Sequence, residues 1–319
     1  MLVRSLILKT SALPPVERMV RHSRTFKPLV KRFIAGDTLD EALVPTIELL
    51  QRGFFVSLDY LGENATSAEE ANRASAMYLS MVRRMFDLPE FKPGNPATYS
   101  EGKPENLNIS IKLTQCGLDI SDDFAYGNYL SVVEFAAEKG GFVRVDMEAS
   151  GYTDRTVKLV QKMHATHPNT GTVLQSYLHR TDDDLNKLMP TGIRLRLVKG
   201  AYLEPPEVAF PDKFQVDEQY LKQAKLMLKE ATYPAIATHD EGIIRDLNAF
   251  AEKERVDKSK FEYQMLYGIR RDLQESLRSE GYNVRVYIPF GDSWYPYFSR
   301  RLAERPANTL FILKSMFRG

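Results

Sequence analysis

The chain has 319 residues, 43% of them hydrophobic and 27% charged, a balance ordinary for a globular protein with a large core. Its 43 Lys and Arg against 42 Asp and Glu leave a net charge of +1, so bulk attraction to nucleic acid is excluded as the main activity. The single cysteine, Cys116, excludes an internal disulfide and any multi-cysteine metal site, and fits a reducing, cytoplasmic setting.

Met1–Thr10 carries one arginine and a brief apolar run, Ser5–Leu8, too short for a signal peptide or an anchor; a frayed or docked segment is expected. No stretch approaches the ~18 consecutive apolar residues of a membrane span. From Pro14 to Leu50 the pattern is helical, with Val16, Met19 and Val20, then Leu39, Leu43, Ile47 and Leu50, at three- and four-residue steps. Gly36-Asp37 interrupts it, with Asp37 as the expected N-cap of the second part. Residues 1–50 are thus expected to form an N-terminal helical segment packed on a catalytic unit of residues 51–319.

Beyond that point short β-branched or aromatic runs alternate with amphipathic ones. Strands are expected at Phe54–Leu58, Leu107–Leu113, Phe142–Asp146, Thr172–Tyr177, Ile193–Val198, Ala235–Thr238, Phe261–Leu266 and Val284–Ile288. Helices are expected at Ala68–Phe86, Phe124–Lys139, Asp154–Ala165, Val216–Glu230, Ile243–Glu252 and Asp272–Ser279. Lys139-Gly140-Gly141 and Glu280-Gly281 read as helix stops just before strands. Leu88–Asn106, rich in proline and glycine, reads as a surface excursion. Eight strands at a repeat of about 33 residues suit an α/β fold, a (βα)8 barrel, which needs about 31 per unit. The competing doubly wound sheet would place a glycine-rich loop after its first strand, and Asp59-Tyr60-Leu61-Gly62-Glu63-Asn64 is not one.

In such a barrel chemistry collects at the C-terminal strand ends. Polar residues expected there are Lys112, Asp146, Glu148, Gln175, Arg194, Arg196, Lys199, Thr238 and His239. Buried charges need partners or a ligand. Val198-Lys199-Gly200-Ala201-Tyr202 offers backbone amides and a cation to an anionic group. In the last helix Tyr297, Arg300, Arg301 and Glu304 share one face, beside an apolar stripe of Trp294, Phe298 and Leu302. Paired guanidinium groups there suit a small carboxylate, and a solvated face is the alternative. Lys112 and Lys199 also leave a Schiff-base lyase open. His164-x-x-His167 lacks further ligands nearby, so no metal is expected.

The pieces Ser110-Ile111-Lys112-Leu113-Thr114-Gln115, Val143–Glu148, Leu174–Leu178, Arg194–Tyr202, Ala237-Thr238-His239-Asp240, Tyr287–Gly291 and Tyr297–Arg305 occur in this order. With them the sequence resembles the bacterial monofunctional proline dehydrogenases, from about Phe54 onward. Phe290 stands where that family has tyrosine, and Ser299 where methionine is common; the first removes a hydroxyl near the lid.

The resemblance implies a distorted barrel with noncovalent FAD and the last helix over the barrel mouth. It implies oxidation of L-proline to Δ1-pyrroline-5-carboxylate by hydride transfer to flavin N5, the first step of proline catabolism. Electrons would pass to a membrane quinone, reached by transient contact at the inner face of the cell membrane. The product would pass to a separate pyrroline-5-carboxylate dehydrogenase, the expected protein partner. Residue by residue, Arg300 and Arg301, helped by Lys112, clamp the carboxylate. Tyr287, Tyr297 and Leu266 pack the ring, with Tyr202 nearby, and Tyr287 crowds a ring hydroxyl. Arg196 donates to flavin N5, and Asp146 pairs with Lys112 or Arg196. Gln175, Val198, Lys199, Gly200, Ala201, Thr238 and His239 hold FAD, with Met147 through its backbone and Glu304 at the ribityl chain. Glu63 forms a gating ion pair with Arg300.

Overall fold

Eight parallel strands close a barrel in strict chain order: β1 (Phe55–Tyr60), β2 (Asn108–Ile111), β3 (Phe142–Val145), β4 (Thr170–Gln175), β5 (Arg194–Val198), β6 (Ala235–Ala237), β7 (Glu262–Leu266) and β8 (Asn283–Phe290). β8 returns to pair with β1, Phe55 beside Arg285 through Tyr60 beside Phe290. This computed structural model describes residues 11–304 apart from 12, 24–25 and 93–106. The N-terminal decapeptide and most of the 88–106 excursion lie outside the described residues.

The strands alternate in an uncommon sense. Val56, Leu58, Ile109, Ile111, Val143, Val145, Leu195 and Leu197 are buried in the main core with the helices around the barrel. The residues between them meet one another inside. Ser57 donates to Asn108 Oδ1 at 2.8 Å, Arg196 donates to Ser110 at 3.1 Å, and Arg285 reaches Glu262 through two bonds of 2.8 and 2.9 Å. Fully buried Arg144 donates to the carbonyl groups of Thr172 and Arg194. Buried charges need partners: Arg285 has the Glu262 carboxylate, whereas Arg144 is held by backbone carbonyl groups.

Helices follow the first seven strands: α4 (Ala68–Asp87), α5 (Asp122–Glu138), α6 (Ser150–His164), α7 (Thr181–Leu188), α8 (Lys213–Glu230), α9 (Glu241–Lys253) and α10 (Arg271–Ser279), with α1 (Pro14–His22), α2 (Lys27–Phe33) and α3 (Leu39–Gln51) before β1 and α11 (Tyr295–Glu304) after β8. Side chains cap several of them: Ser67 accepts from Glu70 N–H, Ser121 from Phe124 N–H, and Asp240 from Gly242 and Ile243. The helix α7 was not expected; its Asp182-Asp183-Asp184 run hides an apolar face of Leu185 and Leu188. Thr38, not Asp37, caps α3, in a reciprocal capping box with Glu41.

The helix after β8 does not join the wall. α3 lies against β1 and β8, while α11 crosses the C-terminal ends of the strands. The apolar side of α11, with Phe298, and Trp294 just before the helix pack in a separate core with Val20, Phe26, Ile34 and Leu61. Arg21 of α1 fastens it, its guanidinium 4.9 Å from the Trp294 ring and donating to the Asp292 carbonyl at 2.9 Å. So α1 and α2 hold the lid, and α3 fills the wall.

Candidate active site

A cavity of about 840 Å³ lies between the strand ends and α11, in the upper part of the range for small-molecule sites. Its lining includes Lys112, Asp146, Met147, Gln175, Arg196, Val198, Lys199, Gly200, Ala201, Tyr202, Thr238, His239, Leu266, Tyr287, Tyr297, Arg300 and Arg301, together with Glu63 at the mouth. Residues spread over more than two hundred positions thus meet in one space.

The floor is a network of three elements. Asp146, just past β3, accepts from Arg196 of β5 at 2.7 Å and from the Tyr287 hydroxyl of β8 at 2.6 Å. The Arg196 guanidinium also stacks 5.2 Å from the Tyr287 ring. Burial, then Asp146 and Asp59, push the Tyr287 phenol well above its ordinary range, so it acts as a donor. Arg196 Nε is buried and has no hydrogen-bond partner among the described residues. A buried cationic donor without an acceptor in a cavity wall calls for an acceptor from a bound group.

Lys112 does not pair with Asp146. Its ammonium meets Asp59 Oδ1 at 2.6 Å, both side chains less than a tenth exposed. Asp59 is a site residue the sequence reading placed in a turn. β1 runs two residues past the expected end, and the alternation Ser57, Asp59 puts that carboxylate inside. The phase of alternation was the signal that could have found it. Burial works against the charge on Lys112, but Asp59 and Asp146 outweigh it and raise its pKa.

The roof comes from α11. Arg300 Nη2 meets Glu63 Oε1 at 2.8 Å, and the same oxygen accepts from Tyr202 at 3.4 Å. Arg300 lies 5.7 Å from the Tyr202 ring, and Arg301 lies 5.2 Å from the Tyr297 ring. Burial again opposes the Arg300 charge, and Glu63 and Tyr202 more than compensate. The expected Glu63–Arg300 pair is therefore present across the mouth.

On the far side the cavity is lined by residues at the ends of β4, β5 and β6. Gly200 has φ +119°, and a Cβ there would stand 2.2 Å from the Tyr177 ring, so only glycine fits. Lys199 is held by Asp217 at 2.5 Å and Asp240 at 3.1 Å, and so its ammonium is already engaged. His239 Nε2 accepts from Leu266 N–H at 2.9 Å, joining the two strand ends.

Other rim assignments fail. Arg194 opens β5 at the opposite end, its guanidinium 5.4 Å from the rings of Phe142 and Tyr233. Glu148 is buried behind the cavity against Thr114 and does not line it. Phe290 packs 5.6 Å from Tyr60 in the core, and Ser299 is buried, neither lining the cavity. The Glu304 side chain lies outside the described residues.

Comparison with known proteins adds to this geometry. The family described as proline dehydrogenase matches residues 43–314. The chain is 37% identical over 288 residues to proline dehydrogenase 1 of Bacillus subtilis subsp. natto, covering 90% of each. It is 38% identical over 326 residues to the proline dehydrogenase of Deinococcus radiodurans, covering 100% of this chain and 99% of that one. Among solved structures it is similar to proline utilization A of Bdellovibrio bacteriovorus inactivated by N-propargylglycine, with a TM-score of 0.79 and 26% identity. The similarity covers 95% of this chain and 36% of that one, so the chain spans about a third of that protein's length.

Proposed function

Since the chain belongs to the proline dehydrogenase family, and is an enzyme of the first step of proline catabolism, we propose that it oxidises L-proline to Δ1-pyrroline-5-carboxylate with noncovalent FAD as the immediate electron acceptor. The carrying observation is the convergence of Arg300 and Arg301 from the roof on a floor where Arg196 keeps one buried donor unspent.

The residues fit a flavin. Arg196 Nε offers a charged donor to a ring nitrogen, and Gln175, Thr238 and His239 line the far side with Val198, Gly200 and Ala201. Met147 and Lys199 complete that wall, Lys199 by holding Asp217 and Asp240 in place. When bound, FAD supplies the acceptor for a hydride from the ring carbon beside nitrogen. The chain's own part is orientation and electrostatics. Arg300 and Arg301, with Lys112 below, would hold the carboxylate. Tyr287, Tyr297 and Leu266 would pack the ring, with Tyr202 at its edge. Asp146 fixes both Arg196 and Tyr287, so the donor and the ring-packing wall move together. Arg196 favours an electron-rich ring system by its fixed positive charge.

The Schiff-base alternative needs a neutral lysine. Lys112 is kept protonated by Asp59, and Lys199 is paired with two aspartates, which disfavours either as a nucleophile. Electrons would leave to a membrane quinone, and the product to a separate pyrroline-5-carboxylate dehydrogenase. Among the described residues no helix is long and apolar enough to cross a membrane, so quinone contact would be made from the surface. The test is the spectrum of the purified protein. A flavin absorption that bleaches on anaerobic addition of L-proline is expected; a colourless protein, or a flavin that proline leaves oxidised, overturns the proposal.

A further inference from the structure

Behind the mouth lies a layer of buried polar groups that the chemistry above does not use. Thr114, Gln115 and Glu148 are buried, and none of them lines the cavity. The Thr114 hydroxyl donates to Glu148 Oε1 over 2.5 Å, and the Thr114 N–H donates to Oε2 over 3.2 Å. While Glu148 is ionised, that hydroxyl gives its one proton to the carboxylate and can only accept from anything else. It accepts from the Asn64 N–H at 3.0 Å, while Ala65 N–H donates to the Thr114 carbonyl at 3.1 Å. On the other side, Gln115 turned with its amide nitrogen toward acceptors donates to the carbonyl groups of Tyr60 at 3.1 Å and Gly62 at 3.3 Å.

These bonds bracket Glu63. Asn64, directly after it, has φ +56°, the left-handed region that non-glycine residues enter at a cost. Such a conformation persists where its surroundings hold it, and here the holding atom is the Thr114 hydroxyl. We propose that Thr114, oriented by Glu148, is a positioning residue that sets Glu63 against Arg300 and thereby governs how fast substrate passes the mouth. This rests on the reading of the Glu63–Arg300 pair as the closure of the proline site.

The test uses the flavin-loaded enzyme and tetrahydrofuran-2-carboxylate, which keeps ring and carboxylate but replaces the amine by an ether. Binding is followed in stopped flow by the fluorescence of Trp294, the single tryptophan, which packs beneath the lid helix. In Thr114→Val, as in Glu63→Ala, association and dissociation rate constants should each rise on the order of fivefold, the effect of one lost hydrogen bond. The dissociation constant should change less, and Thr114→Ser, which restores the hydroxyl, should return both rates toward the parent values. With proline as substrate, Thr114→Val should move KM more than kcat. Fast exchange in Glu63→Ala with parent rates in Thr114→Val overturns the positioning role, even if the melting temperature falls. Parent rates in Glu63→Ala overturn the mouth reading, and the positioning role with it. If Thr114→Val does not fold, Glu148→Met, which removes both carboxylate oxygens and so releases the Thr114 hydroxyl from its fixed orientation, carries the same comparison.

Discussion

Arg300 and Arg301 are neighbours in sequence, yet one is set against Glu63 and the other against the Tyr297 ring. As a carboxylate clamp, each would leave the substrate anion poorly paired when lost. Removing one partner of a buried charge pair costs roughly 2–5 kcal/mol, so Arg300→Met and Arg301→Met should each lower apparent proline affinity on the order of thirty-fold or more. Lysine at either position should restore only part, since a point charge cannot replace a planar fork. Steady-state kinetics with flavin occupancy measured on each variant checks this, with occupancy expected to stay normal. Arg196→Met belongs to the floor and should act differently. Losing a charged hydrogen bond of about 1.5–3 kcal/mol should reduce flavin retention or its reduction by proline roughly ten- to hundred-fold. Full flavin content with undiminished bleaching would remove Arg196 from the cofactor's surroundings. Glu148 sets a pH dependence of stability. Burial pushes its carboxyl from 4.5 to about 7, so the folded protein holds a proton that the unfolded chain releases in that window. Stability should therefore fall as pH rises from about 4.5 to 7, by up to about 3 kcal/mol from this group. Urea unfolding across the window should show that slope in the parent and a flatter one in Glu148→Gln.

At the scale of elements, the lid depends on the apolar side of α11. Phe298 is fully buried between Phe33 and Trp294, with ring centroids 6.4 and 5.7 Å away. Phe298→Ala should cost roughly 3–5 kcal/mol, taken locally from the contact of α11 with α1 and α2. Hydrogen exchange should then speed up in α11 and leave the barrel strands protected, while proline affinity drops; equal loosening of both would show that the lid is not a separate unit. This lid was only half legible beforehand. The face of Tyr297, Arg300 and Arg301 followed from helical spacing, but its placement over the mouth came from family resemblance alone. Strand identities were legible because β-branched runs are bounded by glycine and polar turns. Their ends were not: β4 closes at Gln175, two residues early, although Ser176 and Tyr177 stay buried and still donate to the Val198 and Lys199 carbonyl groups. Asp59 was missed for the converse reason, a charge at the end of an apolar run being read as a turn although the interior of this barrel is polar. No local pattern distinguishes Arg194 from Arg196, which share a strand, a side-chain type and an inward phase; only height along the barrel separates them.

Across the whole molecule, the interior charges act as a frame for the site above them. Arg285 and Glu262 are each 1% exposed and joined through two bonds, beneath the Arg196–Asp146–Tyr287 floor. Arg285→Met leaves Glu262 buried without its counter-ion and should cost roughly 3–5 kcal/mol in urea unfolding. The frame is closed by the last strand, β8, and roofed by the helix that follows it. Arg21 reaches a carbonyl 271 residues ahead of it, and Phe26, Ile34 and Phe298 share one core. Ring closure over such a span is entropically mild, because each doubling of length adds only about 0.6 kcal/mol. Its cost is temporal. On a ribosome, α1 and α2 emerge before the barrel and wait, their apolar faces uncovered, until the barrel has been made and α11 follows. A chain stalled before α11 would carry a finished wall and an assembled floor without Arg300 and Arg301, so the proposed carboxylate clamp is completed only after the floor it faces.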